Sequence, residues 1–145
     1  MKKNPLLLAF LILGMFTINA QEWLTDLNTA QKNAKKLGRN IVLVFQGSDW
    51  CAPCMKLEKE IWSSEEFISY SKDHFVLLKA DFPKKRKNLL APSLQEKNNQ
   101  LAEKYNSEGY FPLVVVLDSE GKVLGLTGYQ KVAPSEFITI LNSFK

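Results

Sequence analysis

Ile41 to Phe45 is an uninterrupted apolar run of strand length, partly β-branched, and the polar turn Gln46 to Asp49 carries it into Trp50-Cys51-Ala52-Pro53-Cys54. An apolar run without alternation fits a strand covered on both faces. Phe75 to Asp81 reads as a second such strand, so the chain is α/β. Both cysteines of the chain fall in the segment after the first run. Two thiols three positions apart at a strand-to-helix junction form a redox pair, and a lone pair is too few for a protein-only structural zinc site.

The first twenty residues read differently from the rest. Lys2 and Lys3 precede an apolar stretch from Leu6 to Phe16, followed by Asn19 and Ala20. The stretch is well short of the roughly 18 to 20 residues of a membrane-spanning helix, so residues 1–20 read as a secretory signal peptide cleaved after Ala20. Ile18 is larger than the small residue preferred two positions before Ala20, and no cysteine follows for lipid attachment. The expected mature protein is periplasmic or secreted, and residues 21–145 suffice for one domain burying about two thirds of its extended-chain surface. The formal net charge is +4, and two of those charges sit in the leader, so no general attraction to nucleic acid follows. Disulfides persist in exported compartments, yet a domain with a full apolar core has little need of one staple.

Trp23, Leu27, Ala30, Ala34 and Leu37 recur at helical spacing before Gly38, predicting an amphipathic helix at the start of the domain. Pro53 fits the first turn of a helix running through Met55, Leu57 and Ile61, with a second short helix near Ser64 to Tyr70. Phe82 to Pro92 is a basic, proline-bounded loop, and Ser93 is the expected cap of a helix reaching Tyr105. Leu113 to Leu117 and Val123 to Leu126 flank Asp118-Ser119-Glu120-Gly121, which is hairpin-turn chemistry, and Pro134 to Phe144 closes the chain as a helix.

This order, with one extra helix in front, resembles the thioredoxin fold over essentially all of Trp23 to Phe144. Three motifs carry the resemblance: Trp50-Cys51-Ala52-Pro53-Cys54, Phe111-Pro112 before the first hairpin strand, and Gly128-Tyr129 after the second. It implies a central mixed β-sheet flanked by helices, with the three loops converging on one surface. It also implies an exported thiol–disulfide oxidoreductase acting on protein disulfides or dithiols, monomeric, without cofactor or metal, and supplied by a membrane electron donor. Cys51 is the expected nucleophile, since a helix N-terminus favours its anion, and Cys54 the resolving thiol. Trp50, Ala52, Pro53, Phe111, Pro112, Gly128 and Tyr129 are the implied substrate-binding residues, with Pro112 cis and the Phe111 backbone free to pair with an extended substrate.

Each of these residues also has a plainer reading: Cys51 and Cys54 as a structural pair, Trp50 as core, Pro112 as the start of an edge strand. A thioredoxin-fold binding module that recruits an envelope partner is the corresponding functional alternative. Asp49 is a polar turn residue or a charge disfavouring the Cys51 anion. His74, the one histidine, suits a solvated turn better than catalysis. Lys84-Lys85-Arg86-Lys87 is a solvated loop or a docking surface for an acidic partner or an anionic envelope surface.

Three departures from well-known thioredoxins stand out. Counting back from Trp50 puts Phe45 where a buried acid often sits, Ala52 replaces a common glycine, and Leu113 replaces the threonine that often follows the cis proline. The usual proton acceptor for the resolving cysteine is therefore missing, and another group or water must serve. With no histidine between the cysteines, the expected potential is reductase-like.

Overall fold

The computed structural model describes residues 21–145; the leader assigned to residues 1–20 lies outside them. Among the described residues five strands and five helices follow in the order β1 (Trp23–Leu24), α1 (Leu27–Leu37), β2 (Asn40–Gln46), α2 (Ala52–Leu57), α3 (Glu65–His74), β3 (Phe75–Asp81), α4 (Pro92–Tyr105), β4 (Leu113–Leu117), β5 (Val123–Thr127) and α5 (Pro134–Ser143). A π-helical segment, Glu58–Trp62, joins α2 to α3, and a 3-10 turn, Arg86–Asn88, lies in the basic loop. The sheet order is β1-β3-β2-β4-β5. β3 pairs in parallel with β1 and β2, while β4 is antiparallel to β2 and β5. This is the mixed sheet of a thioredoxin fold, with the extra helix α1 ahead of the central strand.

The uninterrupted apolar runs fill two core layers at once. Along β2, Val42 and Val44 face one layer with Leu57, Trp62, Phe67 and Phe137, while Ile41, Leu43 and Phe45 face the other with Ala30, Ala34 and Leu101. Alternate side chains of a strand point to opposite faces, so a strand buried on both sides has no polar positions.

The helix expected from Trp23 onward begins later. Trp23 and Leu24 pair with Leu77 and Leu78 as a short strand, and the Trp23 ring meets Trp62 edge-on at 5.4 Å. The helix starts where Asp26, in extended conformation, accepts the Thr29 N–H at 2.9 Å. That capping hydrogen bond, joined by Lys97 at 3.0 Å, lowers the Asp26 pKa from 3.8 to about 2. Gly38 ends α1 in the left-handed region, φ 63°.

Ser93 is likewise not a cap. Pro92 occupies the first helical turn, and the residue before a proline is pushed out of the α region. Ala91 is therefore the extended residue ahead of α4, and Ser93 lies inside it. α3 does have a side-chain cap, Ser64 Oγ accepting the Phe67 N–H at 3.2 Å.

Candidate active site

The carboxyl end of β2 delivers the chain to the cysteines through a turn fixed from β3. Asp81, the last residue of β3, accepts the Ser48 N–H at 3.0 Å and the Ser48 hydroxyl at 2.6 Å. Asn98 on α4 holds the Asp81 carbonyl at 3.0 Å. Gly47 leaves room for the next aromatic ring: a Cβ there would lie 2.2 Å from the Trp50 indole. That indole donates to the Phe82 carbonyl at 2.7 Å and meets Phe111 edge-on at 5.4 Å. The pentapeptide and the Phe111-Pro112 loop are thereby joined, and the Phe111–Pro112 peptide bond is cis.

Cys51 is the N-cap residue of α2, extended at φ −95° and ψ 103°, and its Sγ accepts the Cys54 N–H at 3.3 Å. The two sulfurs form a disulfide with the Cα atoms 5.2 Å apart. Ala52 and Pro53 are exposed between them, Pro53 being tolerated because the N–H groups of a first helical turn have no intrahelical acceptor, so none is lost. In this oxidised state Cys51 and Cys54 are 4% and 3% exposed, so burial does not rank them. The backbone N–H does, since it is aimed at Cys51.

Cys54 borders a cleft of about 480 Å³ shared with Gln46, Glu58 and Lys79. Here the count back from Trp50 needs correcting. Phe45 points to the α1 and α4 layer, so the residue that alternation places on the side of α2 is Gln46, which is buried. The ionisable groups lining the cleft are Glu58, one helical turn beyond Cys54, Lys59, and Lys79 of β3, whose Nζ lies 3.6 Å from Glu58 Oε2. That oxygen is buried without a hydrogen-bond partner, while Oε1 accepts from Ser63 Oγ at 3.2 Å. The π turn makes the second contact geometrically accessible. Five residues span about 1.4 turns of an α-helix, but they close a single wider turn in π geometry, as the Ser63 N–H to Glu58 carbonyl bond of 2.9 Å shows. Sequence reasoning passed over Glu58, Lys79 and Gln46; the i, i+4 spacing of Cys54 and Glu58 was the available signal.

Gly128 lies beside the same loop, where a Cβ would be 3.6 Å from the Pro112 carbonyl oxygen. Tyr129 turns elsewhere: its ring packs on the α2, α3 and α5 layer and its hydroxyl donates to Glu60, which raises its pKa. Asp49 turns to the basic loop and accepts the Lys84 and Lys85 N–H groups, each at 2.9 Å. Those bonds, Lys84 foremost, lower its pKa. His74 stacks on Tyr70 at the end of α3 with the centroids 4.0 Å apart. Among the described residues no group of three or more His, Cys, Asp or Glu side chains is placed to hold a metal.

A cysteine pair at the mouth of a helix, on a mixed sheet with helices on both faces, defines an enzyme of the thiol–disulfide oxidoreductase class. The chain belongs to the thioredoxin-like domain family, whose model matches residues 27–145. It is similar to the disulfide bond reductase DsbH of Chlamydia pneumoniae, 32% identical over 114 residues that span 79% of this chain and 67% of that protein. The thioredoxin-related protein DsbJ of the same organism is 30% identical over 98 residues, 68% of this chain and 27% of the other. The solved structure of a DsbH oxidoreductase matches with a TM-score of 0.77 at 30% identity, covering 84% of this chain and 82% of that one.

Proposed function

We propose that the protein is exported by its first twenty residues and reduces disulfides of envelope proteins through Cys51 and Cys54. The single observation carrying this reading is the Cys54 N–H directed at Cys51 Sγ from the first turn of α2. A free cysteine, with a pKa near 8.5, is only about 3% ionised at pH 7. A backbone donor and the helix end favour the anion once the pair is reduced.

The Cys51 thiolate attacks one sulfur of a substrate disulfide, forming a mixed disulfide and expelling the other substrate sulfur, which takes up a proton. Cys54 then loses its proton and attacks Cys51 Sγ, releasing the second substrate thiol and leaving the enzyme pair oxidised. Glu58 is the proton acceptor in this second step, acting through water in the cleft. Its buried Oε2, left without a hydrogen-bond partner in the cleft that Cys54 borders, supports that role. Trp50, Phe111 and Pro112 form the floor on which an extended substrate pairs with the Phe111 backbone, with Gly128 leaving the approach to Pro112 open.

The absence of histidine between the cysteines supports the reducing direction, and so does the reductase named among the relatives. Two electrons must then return from a donor of the membrane. Trapping tests the chemistry: a Cys54→Ser variant is expected to accumulate mixed disulfides through Cys51, and Cys51→Ser none. A reduced Cys51 that ignores alkylating reagents at neutral pH would sink the reading. Equilibration with a glutathione buffer tests direction, with a potential above about −150 mV overturning it.

A further inference from the structure

We infer that the loop Lys84 to Lys87 is a substrate-docking rim, selecting disulfides that lie next to acidic stretches of polypeptide. The inference rests on the exchange chemistry proposed above and adds to it the class of substrate.

The loop is strapped to the two residues that immediately precede Cys51. Asp49 accepts the Lys84 and Lys85 backbone N–H groups, and its Oδ2 also accepts Asn88 Nδ2 at 3.0 Å, so its carboxylate is satisfied by the loop's interior. The Lys84 ammonium sits 3.9 Å from the centroid of the Trp50 ring, and the Trp50 indole is anchored to Phe82 at the loop's start. The backbone that carries Lys85, Arg86 and Lys87 is therefore tied to the turn that leads into the disulfide. All four cations are exposed. Among the described residues none of them forms an ion pair, whereas Lys35, Lys79 and Lys97 each have an acidic partner.

Four adjacent like charges repel one another, and the bonds that hold the loop to Asp49 come from its backbone and Asn88, so the fold itself has no need of the charges on Lys85, Arg86 and Lys87. Beside the redox pair they complement anionic groups. The rim is apolar as well as basic: Trp50 is 38% exposed, and Leu89, one residue beyond Asn88, is 60% exposed. That mixture suits a peptide carrying both acidic and apolar side chains. Position decides between the two anionic partners the sequence left open. A lipid headgroup gains nothing from lying next to a disulfide, whereas a protein substrate is delivered to Cys51.

The test compares the wild type with Arg86→Glu/Lys87→Glu, which leaves Asp49, Lys84 and Trp50 untouched. Two probes of equal length carry an S-methylated cysteine pair flanked by glutamates or by glutamines, so binding is read without turnover. At about 0.1 M salt the acidic probe is expected to bind the wild type about tenfold more tightly than the neutral one. The gap should close near 1 M salt, where the screening length has fallen from about 10 Å to about 3 Å. In the variant the preference should vanish. With disulfide-bearing versions, KM for the acidic substrate should rise about tenfold in the variant, with kcat and the neutral substrate unchanged.

Equal binding of the two probes by the wild type overturns the inference, as does a preference that survives charge reversal. So does binding of the wild type to vesicles rich in phosphatidylglycerol when the peptides are not discriminated. If the acidic probe docks through the loop but no disulfide is ever reduced, the exchange reading falls and the docking rim stands. Should the reversed loop fail to fold by circular dichroism, Arg86→Gln/Lys87→Gln decides the same comparisons.

Discussion

At the scale of single residues, the proposed exchange meets one chemical difficulty with parts from three elements. The resolving thiol must shed a proton in a partly enclosed place, and the central strand offers only the neutral Gln46 there. α2 and the π turn contribute Glu58, and β3 contributes Lys79. Replacing Glu58 with Gln keeps the shape and removes the base. The expected result is a mixed disulfide that resolves about 10- to 100-fold more slowly, with a changed pH profile of resolution and an almost unchanged melting temperature. Stopped-flow measurement of the resolution step checks this, and an unaltered rate and pH profile would remove Glu58 from the reaction.

At the scale of elements, the structure shows where local chemistry decides boundaries. α1 begins after Asp26 because its carboxylate takes up the Thr29 N–H, and that bond is strongest while the side chain is ionised. The folded-state pKa of about 2 lies below the ordinary 3.8, so the contribution is fully present above about pH 4. It is lost as pH falls toward 2. Asp26→Ala should destabilise the protein by about 1 kcal/mol at neutral pH, while Asp26→Asn should keep part of the cap and flatten the acid limb. Denaturant titrations at pH 7, 4 and about 2.5 separate the two.

At the scale of the whole molecule, the layered α/β architecture was legible because double burial leaves its mark in the unbroken run Ile41 to Phe45 of β2 and the shorter run Phe75 to Leu78 that opens β3. The hairpin strands and the closing helix were legible from turn residues. What the sequence concealed depends on contacts across the fold. Trp23 is spaced like the helix that follows it, and only its pairing with β3 makes it strand. Pro92 overrides Ser93 one position away. Counting from Trp50 could not reveal which face Phe45 takes, and nothing local says that Asp49 belongs to the basic loop.

The cysteines were readable as a pair at a helix mouth, whereas the cleft behind Cys54 is assembled by tertiary packing. A disulfide closing so short a loop restrains the unfolded chain little, by about 2 kcal/mol on chain-entropy grounds. A Cys51→Ser/Cys54→Ser variant is therefore expected to fold with at most that loss, measured by thermal unfolding. A collapse of the fold would instead mark the pair as structural.

The π turn between Glu58 and Trp62 has a consequence for lineage as well as for chemistry. Such a turn accommodates one surplus residue without disturbing the register on either side, and the exposed Lys59 is the member the packing can best do without. A descendant lacking it would close into ordinary helix with Ser63 four positions from Glu58, a spacing that still sets the two side chains on one face. Length variation at this one point would then leave the clasp on Glu58 in place and alter only the path of the backbone around it.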